Sequence, residues 1–302
     1  FDMQGINASN SPPALQEHDC RLCMDSYERI ARFHIISAHE LCDDEEFLKN
    51  AEQQNREQLR RTLKSVVDMY DNDAWPRSAN EAEMRGYFVL FFAAGTNELV
   101  VEQQLSRSSS SVRRAPPMRF VMRVRHAIAS GNFGRVRALL GEADCLQATL
   151  VHLLLTDKRG DYGGKLAWEG VWIRALTLLN RAYRAAQPQR VALGHVASLL
   201  GCNDADHARA LVLALGLVID SSTAEEVVVM GSGATVVRQT DEDGGTVLFP
   251  ARSLDAIGRK RAGLSRRDVI RGASPYEPPS TNLRDNAPEL DVPLSALPSR
   301  KS

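Results

Sequence analysis

The chain has 302 residues, of which 43% are hydrophobic and 25% charged, with a formal net charge of −1. That length has room for about two domains of about 100–200 residues each, and the composition excludes a fibrous or wholly disordered protein. The longest apolar runs, such as Tyr87–Ala94 and Ala210–Ile219, fall short of the ~20 residues needed to cross a bilayer, so no membrane span is expected.

The near-zero charge conceals segregation. Glu40–Glu57 holds seven acids against Lys49 and Arg56, whereas Ser106–Arg137 holds eight arginines and no acid. Such separation points to partners. Five scattered cysteines, Cys20, Cys23, Cys42, Cys145 and Cys202, suit a reducing compartment better than a disulfide framework. The opening residues lack a basic stretch followed by an apolar one, so no signal peptide is expected, and a start at Phe1 implies that residues precede it.

In chain order, Gln16–Val101 reads as helices with short breaks. Tyr27, Ile30, Ala31, His34, Ala38 and Leu41 recur at three and four, and Glu28 and Arg32 stand at i, i+4 in the favourable order for an ion pair. A second helix follows in QNREQLRRTLKSVVDMYDN, with Leu59, Leu63, Val66, Val67 and Tyr70 on one face. A third begins at Asn80, read as an N-cap whose capping box Glu83 completes, and it carries Met84, Tyr87, Phe88, Leu90 and Phe91 inward. SRSSSSVRRAPP, Ser106–Pro117, has no apolar period and reads as a flexible insertion. Helices then resume at Met118–Ser130, after the Gly131-Asn132 turn, at Leu146–Leu155 and at Val171–Ala186, the last two separated by KRGDYGGK.

The pattern changes after Pro188. A short helix, Val191–Leu200, is broken by Gly201, and Asn203 or Asp204 caps a second helix, Asp206–Leu217. Strand-like pieces follow at Glu226–Met230, Thr235–Gln239 and Thr246–Phe249, the last two joined across DEDGG. Helix, turn, helix and strands describe a winged helix with a small β wing. Beyond Pro250 the sequence reads as a polar extended tail. The expected fold is mainly α: an irregular right-handed solenoid of helical hairpins over 1–105 and 118–187, the flexible insertion at 106–117, a winged helix at 188–250 and the tail at 251–302.

Four blocks occur in one order: YERIARFHI (Tyr27–Ile35), LRRTLKSVVDMYDN (Leu59–Asn72), NEAEMRGYFVL (Asn80–Leu90) and ASGNFGRVRALL (Ala129–Leu140). In that order they resemble the Sac/GANP family, the germinal-centre-associated nuclear protein and its relatives, whose members carry a PCI-type solenoid ending in a winged helix. The likeness runs from about Phe1 to about Arg271, with 106–117 as a local insertion. The resemblance implies a non-enzymatic scaffold of the nuclear mRNA export complex TREX-two, on the pore side of the nuclear envelope. It also implies a second PCI-domain subunit, a small acidic stabilising protein, the nuclear pore and RNA as partners. A sister branch linked to splicing and elongation shares the winged-helix end, and proteasome-lid and initiation-factor scaffolds share the fold.

Cys20, Cys23, His34 and His39 approach the order of a Cys2His2 zinc finger, and a zinc-dependent enzyme built on them is the alternative of another class. The ten residues between Cys23 and His34 read as continuous helix, about 15 Å long at 1.5 Å per residue, so the chain cannot fold back to one ion. No metal, cofactor or catalytic residue is therefore assigned. Gly231–Gly233 reads as a wing turn and Asp241–Asp243 as a hairpin tip. Only His207 and Arg209 of the second winged-helix helix have the chemistry to read bases, too few for sequence-specific DNA recognition. Two basic clusters are candidate phosphate-binding surfaces of low sequence preference: Arg113, Arg114, Arg119, Arg123 and Arg125, and Arg259, Lys260, Arg261, Arg266 and Arg267. Arg259–Arg261 also resembles a nuclear import signal. Leu211, Leu213, Leu215 and Leu217 exceed what one small module can bury, so some are assigned to a partner subunit.

Overall fold

The computed structural model describes residues 13–93, 98–156, 171–183, 188–222, 225–231, 254–261 and 263–273. These residues are mainly helical. The helices are α1 (Pro13–Glu40), α2 (Glu45–Asn50), α3 (Glu52–Asp71), α4 (Glu81–Phe92), α5 (Glu98–Arg107), α6 (Ser110–Arg114), α7 (Pro116–Ala129), α8 (Phe133–Glu142), α9 (Cys145–Thr156) and α10 (Val171–Ala182). Then come β1 (Gln189–Ala192), α11 (Leu193–Leu200), α12 (Ala205–Ala214), β2 (Val218–Asp220), β3 (Val227–Met230), α13 (Asp255–Arg259) and α14 (Arg266–Ile270).

Helix α4 is the central rod. Met84 through Phe92 are buried, because α4 is flanked by α3, α7 and α9 rather than lying on a surface. Gly86 lets α7 come close: a Cβ there would sit 3.3 Å from Val121 Cγ2. On α3, Leu59, Leu63, Val66, Val67 and Tyr70 form the single buried face that their spacing predicts. Each such aliphatic side chain contributes roughly 1.5–3 kcal/mol by leaving water.

Helix α1 turns a different face inward from the one its apolar residues suggest. Met24, Glu28, Ala31, Arg32, Ile35, Ile36, His39 and Cys42 are buried, whereas Ile30, Phe33 and Leu41 are exposed. Glu28 and Arg32 are not a surface ion pair. The Glu28 carboxylate accepts hydrogen bonds from Tyr70 Oη (2.6 Å), Ser78 Oγ (2.7 Å) and Asn80 Nδ2 (2.6 Å). The Arg32 guanidinium donates twice to Glu83, at 2.8 Å each. The capping box expected at Asn80 and Glu83 is therefore replaced: Asn80 makes no side-chain cap, and both groups are spent on α1.

The segment read as a flexible insertion, 106–117, is helical. Val112 is buried, Ser109 accepts from the Val112 N–H, and Ser108 Oγ donates to the Gln104 carbonyl (2.8 Å). Serines supply the end groups of a five-residue helix, and Pro116-Pro117 opens α7, where a missing N–H costs nothing.

In the C-terminal half, α11 ends at Gly201, whose φ of 73° is the left-handed conformation that glycine adopts without strain. Asp204 then caps α12 by accepting from the His207 N–H at 2.7 Å. Helices α11 and α12 pack on each other and on an antiparallel sheet of order β1-β3-β2, in register Ala192↔Val227 and Val218↔Val229. Strand β1 lies where the helix Val191–Leu200 was expected to begin. Thr235–Gln239, Thr246–Phe249 and the DEDGG turn lie outside the described residues, as does KRGDYGGK.

The expected tail folds back over 254–261 and 263–273. Leu254, Ile257 and Val269 are buried, α13 packs on α9 and α14 packs on α1. A full capping box, Ser265 with Asp268, opens α14.

Candidate partner and nucleic-acid interfaces

The cysteine and histidine residues of α1 are separated by the helix that carries them. His34 is half-buried, with Nδ1 2.7 Å from Asn55 Oδ1, while Asn55 Nδ2 donates to the His34 carbonyl at 3.1 Å. His39 faces the core, and the Cys42 thiol donates to its carbonyl at 2.9 Å. Burial pushes the Cys42 thiol up to about 12 and holds His39 below its ordinary range. Among the described residues no group of three or more His, Cys, Asp or Glu gathers closely enough to hold a metal ion.

A histidine cluster does form elsewhere, and nothing local in the sequence signals it. His152 of α9 and His207 of α12 each meet the Trp172 ring edge-on, with centroids 5.8 and 5.7 Å apart. Trp172 Nε1 donates to the Leu200 carbonyl at 3.0 Å, tying α10 to the end of α11. Burial pushes His152 down to about 3, with His39 and His207 adding to the shift.

The two arginine clusters look uncompensated in sequence but are partly neutralised in space. Arg123 pairs with Glu142 at 2.5 Å and Arg125 with Glu102 at 2.5 Å. Arg261 and Arg266 both bind Glu40. Lys260 Nζ donates to the carbonyls of Gly141 (2.8 Å) and Ala143 (2.7 Å), closing the negative end of α8. The first and second clusters therefore meet at the last turn of α8, where Glu142 holds Arg123 and its two neighbours hold Lys260. Arg113 donates to the Leu105 carbonyl and Arg114 to Ser110 Oγ, at 3.3 and 3.2 Å, with both still exposed. Arg119, Arg259 and Arg267 are exposed and bind no carboxylate among the described residues.

The leucine set divides as sharply. Leu211, Leu215 and Leu217 are at most 2% exposed and belong to the module's own core, a correction to their assignment as partner residues. Leu213 is 50% exposed, because it alone points away from α11 and the sheet. Leu199 of α11 and Val218 of β2 are also exposed, and periodicity within one helix did not flag them. The two residues with base-reading chemistry are both engaged: His207 is buried, and Arg209 binds Glu226.

A model of the SAC3/GANP family matches residues 13–221, which run from α1 through β2. The chain is 30% identical over 138 residues to SAC3 family protein B of Arabidopsis thaliana, covering 41% of this chain and 8% of that protein. It is 40% identical over 67 residues to SAC3 family protein 1 of Schizosaccharomyces pombe, covering 21% of this chain and 6% of that protein. The matched stretches are thus a small part of the relatives' own length.

Proposed function

The chain belongs to the SAC3/GANP family, and from that premise we propose that it is a non-enzymatic scaffold subunit of a nuclear complex coupling transcription to mRNA export. In this reading the helices are a PCI-type solenoid, and α11, α12 and the three strands are its winged helix. That end binds a second PCI-domain subunit. The observation that carries the proposal is the exposed leucine beside buried ones: Leu213, with Leu199 and Val218, leaves the α11–α12 module with large apolar side chains in solvent inside the family-matched region. A small acidic protein completes the assembly at the nuclear pore, and the basic clusters contact RNA. The buried charges support a structural role, since each ties its helix to its neighbours: Glu28 to Tyr70, Ser78 and Asn80, Arg32 to Glu83, and Arg85 to Asp71 and Gln104.

Affinity purification of the tagged chain from nuclei tests this directly. Recovery of a second PCI subunit, a small acidic protein and RNA is expected. Recovery of proteasome-lid, initiation-factor or splicing subunits instead would replace the reading.

A further inference from the structure

Helix α1 has an outer face that no described element covers. Leu22, Ile30, Phe33 and Leu41 are 58, 42, 49 and 39% exposed, and they lie opposite the buried face that meets α3 and α9. The Leu41 N–H still bonds the Ser37 carbonyl at 3.0 Å, so the spiral extends to Leu41. At about 100° per residue, Leu22, Ser26, Ile30, Phe33, Ser37 and Leu41 fall in one band roughly 100° wide and ~28 Å long.

The order of these residues is symmetric about the midpoint between Ala31 and Arg32. Read from either end it runs leucine, serine, branched or aromatic, branched or aromatic, serine, leucine, at spacings of four, four, three, four and four. A two-fold axis through that midpoint lays the helix antiparallel on its own copy. Leu22 then meets Leu41, Ser26 meets Ser37 and Ile30 meets Phe33, each across the axis. Such self-complementarity is what an isologous contact requires. Serines facing serines let the two backbones approach, and Ser26 Oγ already donates to its own Leu22 carbonyl at 2.7 Å, so it brings little unmet polarity. Antiparallel helices also oppose their dipoles favourably. On the same count Arg21 and Glu17, already ion-paired with each other at 2.7 Å, lie off this band, while Asp19 and Glu40, the latter held by Arg261 and Arg266, lie within it, so the apolar ladder rather than charge sets the register.

We propose that α1 pairs antiparallel with α1 of a second copy of this chain, in the register that brings Ile30 onto Phe33 and Ser26 onto Ser37. The inference does not rest on the function proposed above. Four side chains at these exposures give roughly 300–400 Å² of apolar surface per copy, below a standard stable interface, so the dimer belongs to the weak class.

Sedimentation of the chain from about 1 to 300 µM should show a monomer–dimer equilibrium, and Ile30→Asp with Phe33→Asp should weaken it at least tenfold while far-UV circular dichroism stays unchanged. Register is read by cross-linking in a Cys20→Ser, Cys23→Ser background. A mixture of Ser26→Cys chains and Ser37→Cys chains should form the mixed disulfide on oxidation, whereas either chain alone should not, because its own copies lie ~16 Å apart along the axis. A monomer at every concentration, a dimer insensitive to the aspartates, or efficient Ser26→Cys self-linking would each overturn the proposal.

Discussion

Arg32 and Glu83 are joined by two parallel hydrogen bonds of 2.8 Å, although 51 residues separate them, and the Arg32 side chain is only 1% exposed against 23% for Glu83. The difference in burial predicts an asymmetric response to mutation. Glu83→Ala leaves a guanidinium buried without its partner and should cost about 3–5 kcal/mol. Arg32→Met leaves a carboxylate that water reaches, so the loss should be roughly half as large. Urea unfolding of both variants checks the order, and equal losses would mean that the pair acts only as packing.

Asn80 sits at the start of α4, where asparagine and aspartate are equally good caps, so a capping role predicts that Asn80→Asp is harmless. Its side-chain nitrogen instead donates to Glu28 at 2.6 Å, and α4 has no side-chain cap. Aspartate there would set two carboxylates against each other. Asn80→Asp should therefore lower stability by about 2 kcal/mol or more, and Glu28→Gln in the same chain should recover part of the loss. Thermal unfolding of the single and double variants decides between the two roles.

These two pairs also show where the sequence was legible. Helix type came from apolar spacing, and the face of α3 followed from Leu59–Tyr70, since local periodicity decides it, whereas α4 is buried continuously from Met84 to Phe92 and has no single face for a period to show. The face of α1 did not follow, because Glu28 and Arg32 go inward only when Tyr70, Ser78, Asn80 and Glu83 meet them there. A spacing rule sees i+4 and not i+51. Strand β1 was missed for the same reason, since Gln189–Ala192 becomes a strand by pairing with Val227–Met230. The folded stretches 254–261 and 263–273 need only Leu254, Ile257 and Val269 to anchor them, too few to show as a period. At the candidate interfaces the residue types were visible, but which leucine and which arginines remain outside is a property of the packed chain.

On α12, Leu211 and Leu213 are two residues apart and opposite in exposure. Leu211→Glu should unfold the module, because an unpaired charge replaces a fully buried side chain. Leu213→Glu should change stability by no more than about 0.5 kcal/mol yet abolish co-purification of the partner subunit. A partner retained by Leu213→Glu would move the contact to another face.

Acid should loosen the junction of α9, α10 and α12. Burial holds His152 down at about 3 against 6.5 for the free side chain, and holds His39 low as well. The unfolded chain then binds more protons than the folded one between those values. The stabilising contribution is full above pH 6.5 and is lost as pH falls toward 3, at up to about 1.4 kcal/mol per pH unit for each group. Asp144 acts in the opposite sense: burial raises it to about 6 from 3.8, so its contribution is full below 3.8 and lost as pH rises through 6. His152→Gln isolates the histidine effect. Its melting temperature should fall less than that of the unmodified chain between pH 7.5 and 5, and parallel curves would exclude His152 as the acid-sensitive group.

The arginines divide into those already held by carboxylates and those left to bind something else. Arg123, Arg125, Arg261 and Arg266 have Glu142, Glu102 and Glu40 as partners, and Lys260 caps α8. Arg113, Arg114 and Arg119 are exposed at the start of α7 and just before it, without a carboxylate partner among the described residues. A phosphate competes easily for the second group. For the first it must displace an ion pair, which offsets most of the Coulomb gain. Replacing Arg113, Arg114 and Arg119 with glutamine should therefore weaken RNA binding by the assembled pair of subunits about equally for unrelated sequences. It should also reduce the log–log salt slope by about 0.7 per lost contact, or about 2 in total. Arg125→Gln should leave the slope unchanged. Binding measured from 50 to 200 mM salt separates the two sets. If the triple variant keeps both affinity and slope, α7 is solvated surface and the RNA contact lies elsewhere; if Arg125→Gln matters as much, the ion pair with Glu102 opens when RNA binds.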